Sequence, residues 1–462
     1  MLFNSLLFLI FFVIVTITYY LLPHKLRWIW LLAASSYFYM YFKPVYILII
    51  LFTIIVDYCA GILIEKAAGK TRRFYLVLSL VTNIGVLAFY KYFNFFGVNL
   101  NLLSGIFHGP QMPLLDFILP IGLSFHTFQA MSYTIEVYRG NQPAERHFGL
   151  YALYVMFYPQ MVAGPIERPQ HILPQLHRVN YFQSNTFITG LLFMAMGIFK
   201  KVVIADRLGL YVDPVFTNPH GHSALELLIA TYFFAFQIYC DFSGYSDIAI
   251  GAALVLGIEL MQNFNFPYLA SNVSDFWKRW HISLSTWFRD YLYIPLGGSR
   301  VNFLKTGANL LIVFMISGLW HGANWKYLIW GLIHGLLLVA YQLLHKLNIR
   351  IKGFTFFKWF ITFNLVCLAW VFFRAGTVAD AFFILNKICR GNNLTYTAGS
   401  LMSVPELSYC AFIITALFLG ERYVRKAKDC SNTGKLFLIG GLMLACYFLG
   451  IFNEAQFIYF QF

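Results

Sequence analysis

Charged residues are scarce. Asp, Glu, Lys and Arg make up 11% of the 462 residues and 60% are hydrophobic, with a mean hydropathy of +0.67. Soluble domains carry roughly twice that charged share, so an ordinary soluble enzyme or binding module is excluded and a chain that crosses a membrane many times is expected. Linkers, low-complexity tracts and internal repeats are also missing, which predicts a single integral-membrane domain over 1–462. The seven cysteines (59, 240, 367, 389, 410, 430 and 446) form no CxxC pair and no zinc-type spacing. Buried thiols are expected from them, with no metal. Nucleotide hydrolysis and hydride transfer lack their motifs, since there is no P-loop, GxSxG elbow or dinucleotide fingerprint.

What the chain has instead is apolar runs. They cover roughly 4–22, 28–42, 45–64, 74–93, 114–136, 149–163, 186–204, 224–240, 244–261, 306–320, 325–344, 355–373, 405–420 and 434–452. A crossing needs about 20 apolar residues, and 149–163 and 244–261 are short or interrupted, so about eleven crossings with re-entrant or interfacial pieces are predicted. Residues 1–22 have no basic n-region and no cleavage site, and read as the first span.

The net charge of +14 sits in short loops between these runs. That is the positive-inside pattern, and no nucleic-acid partner is expected. Lys25, Arg27, Lys66, Lys70, Arg72, Arg73, Arg139 and Arg146 mark one side, while 94–113 holds no charge. The basic loops, 346–352 and 421–428 among them, then face the cytoplasm and the N-terminus lies outside.

Three stretches carry ionisable groups where lipid makes them costly. In the first, Trp320-His321-Gly322-Ala323-Asn324-Trp325 lies between two apolar runs. Lys305 anchors the preceding run at the interface, and sixteen residues carry His321 about 24 Å inward, to the apex of a helical hairpin. An imidazole there is suited to accept a proton during a reaction. In the second, Ser274–Tyr291 reads as one amphipathic helix capped by Ser274 and ended by Pro295, Gly297 and Gly298. Its periodicity puts Trp277, Trp280, His281, Leu284, Trp287, Phe288 and Tyr291 on one face, with Lys278, Arg279, Ser283, Thr286, Arg289 and Asp290 around the other. His281 is then either a core histidine or a site residue. In the third, Asp241 and Asp247 fall in the gap between two candidate spans. They orient a histidine or line a polar tunnel, or else they cap broken helices.

These segments together resemble a known family. The stretch 320–325 looks like the signature of the membrane-bound O-acyltransferases, and its surroundings resemble the AlgI-type alginate O-acetyltransferase branch. The matching segments are Leu119–Gln129, Tyr133–Arg139, Phe157–Pro169, Tyr239–Asp247, Phe276–His281 and Tyr293–Gly298, in unbroken order. The resemblance implies an all-α polytopic bundle of about eleven transmembrane helices, with re-entrant and interfacial helices around a central tunnel. It carries the family's deep histidine onto His321 and its second histidine onto His281.

The implied reaction is acyl transfer to a hydroxyl. An acyl thioester, acetyl-CoA, serves as the cytoplasmic donor, and no permanently bound cofactor is implied. His321 acts as general base, and Asn324, Trp325 or a backbone N–H stabilises the oxyanion. Trp320, Trp280 and Asp241 are substrate or tunnel candidates, and Lys278, Arg279 and Arg289 either meet coenzyme A phosphates or serve topology. The implied setting is a bacterial cytoplasmic membrane, with an extracytoplasmic SGNH-type acyltransferase as partner and a polysaccharide, alginate-like or peptidoglycan, as final acceptor. D-alanyl transfer to teichoic acid by the same fold is the near alternative. A proton-coupled transporter or flippase is the distant one, and it predicts repeated halves that the sequence lacks.

Overall fold

Lipid offers the backbone no hydrogen bonds, so each crossing segment has to satisfy its own. The structure, a computed structural model, describes all residues except 2, 117–118, 163, 350–353, 392–395, 397–400, 428, 453–456 and 459–462, and the side chains of 422–425 and 427. Among the described residues every regular element is helical. In order they are α1 (Leu6–Leu21), α2 (His24–Met40), α3 (Ile47–Lys66), α4 (Gly69–Ile106), α5 (Leu123–Arg139), α6 (Phe148–Met156), α7 (Tyr158–Met161), α8 (Pro169–His177), α9 (Ser184–Phe199), α10 (Asp206–Thr217), α11 (Ala224–Val255), α12 (Val273–Trp277), α13 (Ile282–Phe288), α14 (Phe303–His321), α15 (Trp325–Lys346), α16 (Thr355–Arg374), α17 (Val378–Arg390), α18 (Val404–Ala427) and α19 (Asn432–Leu449). Nine helical segments among the described residues are long and apolar enough to cross a membrane, and α1 is a shorter apolar helix. The chain is an all-α multi-pass membrane protein.

Several expected boundaries differ. The run 149–163 breaks into α6 and α7, each too short to cross. The runs 224–240 and 244–261 fuse into the single 32-residue α11, so Asp241 and Asp247 sit inside a continuous helix and cap nothing. The basic stretch 421–428, expected to be a loop, continues α18 as far as Ala427, and 346–352 lies partly outside the described residues. Cys59, Cys389 and Cys430 are exposed where buried thiols were expected, and the other four are buried.

The helices form two compact units, Met1–Leu191 with Ala249–Met261, and Leu192–Ile248 with Gln262–Phe462. In the first, α3, α4 and α5 pack together. Between them Asp57, fully buried, accepts hydrogen bonds from Ser79 Oγ (2.6 Å) and Asn83 Nδ2 (2.9 Å). Basic side chains of this unit tie off helix ends: Arg72 donates to Tyr138 O (2.7 Å), Arg27 to Asn180 O (2.5 Å), and Arg146 pairs with Glu65.

In the second unit α9 and α10 are joined by a π-helical stretch, Lys200–Ala205. Lys200 pairs with Asp247 (2.7 Å) and Glu421 (2.9 Å), and Lys201 with Asp241 (2.7 Å) and Asp206 (2.8 Å). Desolvated charges of this kind persist only when paired. α9 and α11 touch at Gly197 and Gly244, where a Cβ on Gly197 would lie 2.4 Å from Gly244 O, a small-residue contact typical of membrane helices.

Candidate active site

The hairpin expected around 320–325 is present. Asn302 caps α14 through Lys305 N (2.9 Å), and α14 ends at His321. Gly322–Asn324 turns the chain, and α15 returns along α14. Two glycines set the helix spacing. A Cβ on Gly318 would stand 2.1 Å from Tyr327 O, and one on Gly331 would stand 2.1 Å from Phe314 O. His321 is 4% exposed. Its ring meets Trp330 edge-on (centroids 5.0 Å), Phe373 (5.5 Å) and Trp320 (5.0 Å). Three helices, α14, α15 and α16, thus wall in one imidazole with aromatic rings.

The segment carrying His281 departs from the sequence reading. Asn272, not Ser274, caps α12 through Asp275 N (2.8 Å). The expected continuous helix breaks at His281, which has φ 42° and ψ 56°. The break is held by a short ladder with 263–265: Ile282 N donates to Asn263 O (2.8 Å) and Asn265 N to Arg279 O (2.9 Å). Asn263 Oδ1 then accepts from Ser283 N (3.3 Å), Ser283 Oγ (2.9 Å) and His281 Nδ1 (2.9 Å), while its Nδ2 donates to Ser246 Oγ (3.1 Å). The backbone N–H at Ser283 fixes which end of the amide is oxygen. The proton of His281 therefore sits on Nδ1, and Nε2 is its basic nitrogen. Burial holds this imidazole down to about 3, so it is neutral at working pH.

Both histidines adjoin one ring, since Trp320 lies 6.3 Å from His281 and 5.0 Å from His321, centroid to centroid. Phe242 closes the other side of His281 at 4.6 Å, perpendicular to it. Trp280, 1% exposed, packs on Trp370 (5.0 Å), which stacks on Trp330 (5.7 Å), so it belongs to the same aromatic wall.

The other expected site residues are placed differently. Asn324 is exposed and caps α15 through Lys326 N (3.1 Å), and Trp325 is 52% exposed. Neither is enclosed with His321 as an oxyanion donor requires. Asp241 orients no histidine. It is bound to Lys201, and its second oxygen accepts from Ile458 N (2.8 Å). Arg279 pairs with Asp275 (2.9 Å) and Arg289 with Asp290 (2.7 Å), both partly exposed, and Lys278 is exposed. Among the described residues no group of three His, Cys, Asp or Glu side chains is placed to hold a metal ion.

Sequence reasoning passed over a third histidine. His334 is fully buried on α15, accepts from Trp277 Nε1 (3.3 Å) and lies 5.0 Å from Trp330. An ionisable residue inside the run 325–344 was the available signal. Asn263 gave no signal of its own.

The comparisons with known proteins bear on this arrangement. The model of the membrane-bound O-acyltransferase family matches residues 146–377, which include both histidines. The chain belongs to this family. It is 38% identical to the peptidoglycan O-acetyltransferase of Helicobacter pylori, over 79% of this chain and 74% of that protein. It is 40% identical to the probable alginate O-acetylase AlgI of Pseudomonas aeruginosa, over 82% of this chain and 73% of that one. A teichoic acid D-alanyltransferase of Bacillus subtilis is 28% identical over 58% of this chain and 70% of that one. The protein is accordingly a membrane O-acyltransferase.

Proposed function

We propose that the enzyme moves an acetyl group from acetyl-CoA, supplied from the cytoplasm, across the membrane for O-acetylation of an extracytoplasmic polysaccharide, with His321 as general base. The observation that carries this reading is an imidazole at a hairpin apex, enclosed by Trp320, Trp330 and Phe373. His321 takes the proton of the acceptor hydroxyl as its oxygen bonds to the thioester carbonyl carbon. The tetrahedral oxyanion then collapses, the C–S bond breaks, and the thiolate of coenzyme A leaves with the proton from the imidazolium. His281, neutral and fixed through Nδ1, serves as a positioning residue across Trp320.

An alginate-like exopolysaccharide and peptidoglycan are the acceptors suggested by the names of the relatives at 38–40% identity. D-alanyl transfer is the second reading, supported by a relative at 28%. An SGNH-type acyltransferase outside the membrane would complete the transfer. The end of the first unit that carries Arg27, Arg72 and Arg146 would face the cytoplasm, with the N-terminus outside.

The test is His321→Ala in a deletion strain, with cell-surface glycans analysed by mass spectrometry. Ester-linked acetate should disappear while the amount of protein in the membrane stays normal. Retained acetylation would overturn the base assignment, and loss of D-alanyl esters instead would establish the second reading.

A further inference from the structure

The first unit holds two cavities of about 590 Å³ and about 320 Å³, both lined by Arg178 and Asn180. Spaces of this size suit a small ligand. They lie where helices end: Tyr20 closes α1, Leu254 is near the end of α11, and 178–183 links α8 to α9.

The charged residues lining the smaller cavity are cations alone, and the larger one carries Arg178 together with Glu259. Arg27 and Lys25 line the smaller cavity, and Arg178 both. Arg27 is already committed to the carbonyls of Leu22 and Asn180 and to the face of Tyr19 (4.8 Å). Arg178 is different: it is exposed, and among the described residues its guanidinium makes no hydrogen bond or ion pair. His171 lines the larger cavity and is backed by a buried carboxylate. Glu167, fully buried, binds Met261 N through one oxygen (2.5 Å) and His171 Nδ1 through the other (2.7 Å). His171 is 40% exposed at its side chain, so the nitrogen left for a ligand is Nε2. The Glu167 hydrogen bond raises the proton affinity of His171, favouring a ring that donates from both nitrogens. The exposed ring of Tyr181 stands at the same lining.

We propose that the larger cavity binds a phosphate ester, gripped by Arg178 and by His171 Nε2. A guanidinium fork and a carboxylate-backed imidazole are donors matched to phosphate oxygens. The carboxylate that lines the larger cavity, Glu259, is exposed and opposes the bound anion, while its backbone is tied to Gln175 (2.8 and 3.0 Å). The phosphate belongs to either a soluble nucleotide or a phospholipid headgroup. The proposal does not depend on His321 being the base.

Two probes distinguish these sources on the purified full chain. One is radiolabelled adenosine 3′,5′-bisphosphate added to phosphatidylcholine nanodiscs. The other is phosphatidylglycerol retained in detergent, read by native mass spectrometry. Saturable nucleotide binding supports a nucleotide site, and selective retention of the lipid supports a headgroup site. Arg178→Gln and His171→Gln should each weaken the binding probe by about tenfold, the size of one charge-assisted hydrogen bond. Glu259→Gln, at an exposed side chain, should tighten it. The proposal is overturned if neither probe binds, or if binding ignores the replacement of Arg178 and His171.

Discussion

Alanine at Gly318 should silence acyl transfer through geometry alone, leaving every titratable group in place. The new Cβ would stand 2.1 Å from Tyr327 O, against ordinary contacts from 3.4 Å, so α14 and α15 must separate locally by about 1.3 Å. His321 is three residues further on, less than one helical turn, and moves with the backbone. A displacement near 1 Å costs roughly 100-fold in rate where reacting atoms have to be aligned. Overpacking adds about 1–3 kcal/mol of destabilisation, which a hairpin of this length tolerates. The control is Gly85→Ala on α4, where a Cβ meets nothing within 4 Å and which should be neutral or slightly stabilising. Both variants are compared in the complemented deletion strain, as ester-linked acetate per glycan at equal amounts of monodisperse membrane protein. Parental acetylation by the Gly318 variant would refute the reasoning, as would an equal loss in the Gly85 variant.

Three further outcomes follow from the same geometry. His281 is held down to about 3 against its ordinary 6.5. The unfolded chain therefore binds the proton first, and stability is lost as pH falls below 6.5, by about 2 kcal/mol near pH 5. The drop in melting temperature between pH 7 and pH 5 should be smaller in His281→Gln than in the parent, and equal drops would contradict a neutral buried imidazole. Lys201→Met leaves Asp206 and Asp241 without their cation and should cost about 3–5 kcal/mol; unchanged thermal stability in detergent would refute the pairing. Asn324→Ala should cost about 1 kcal/mol as a lost helix cap and leave acetylation within a few-fold of the parent, whereas abolished transfer in folded protein would restore it as an oxyanion donor.

The hairpin of α14 and α15 was legible in the sequence because Gly322–Asn324 interrupts two apolar runs and fixes the apex by counting. The segment 274–291 was half legible. Six of the seven residues placed on its apolar face are buried, Trp277, Trp280, His281, Leu284, Trp287 and Phe288, while Tyr291 is half-buried and Ser283, placed on the other face, is buried as well. Periodicity cannot, however, see the left-handed residue at His281, because Asn263, eighteen positions away, makes that backbone affordable by replacing helical hydrogen bonds. Asp241 and Asp247 were misread as a gap because carboxylates lower local hydropathy. Their partners, Lys200 and Lys201, belong to another helix and leave no mark in the window around 241–247. Trp330, Trp370 and Phe373 were invisible as site residues, since an aromatic residue in an apolar run looks the same whether it faces lipid or a histidine.

The adjacent lysines of the π-helical stretch also constrain how the chain enters the bilayer. Lys200 and Lys201 lie midway along the 34-residue rod Ser184–Thr217, and a lysine at the centre of an isolated helix opposes insertion by about 2.5–3.5 kcal/mol. Asp206 offsets part of that within the rod, but Asp241 and Asp247 arrive only with α11. The rod and α11 therefore gain from leaving the translocon as a pair, and synthesis halted between them would leave the lysines of a largely apolar span with Asp206 as their counter-charge within it. Their order in the chain, with only a short turn between, is what lets the charges meet before either has to face the bilayer alone.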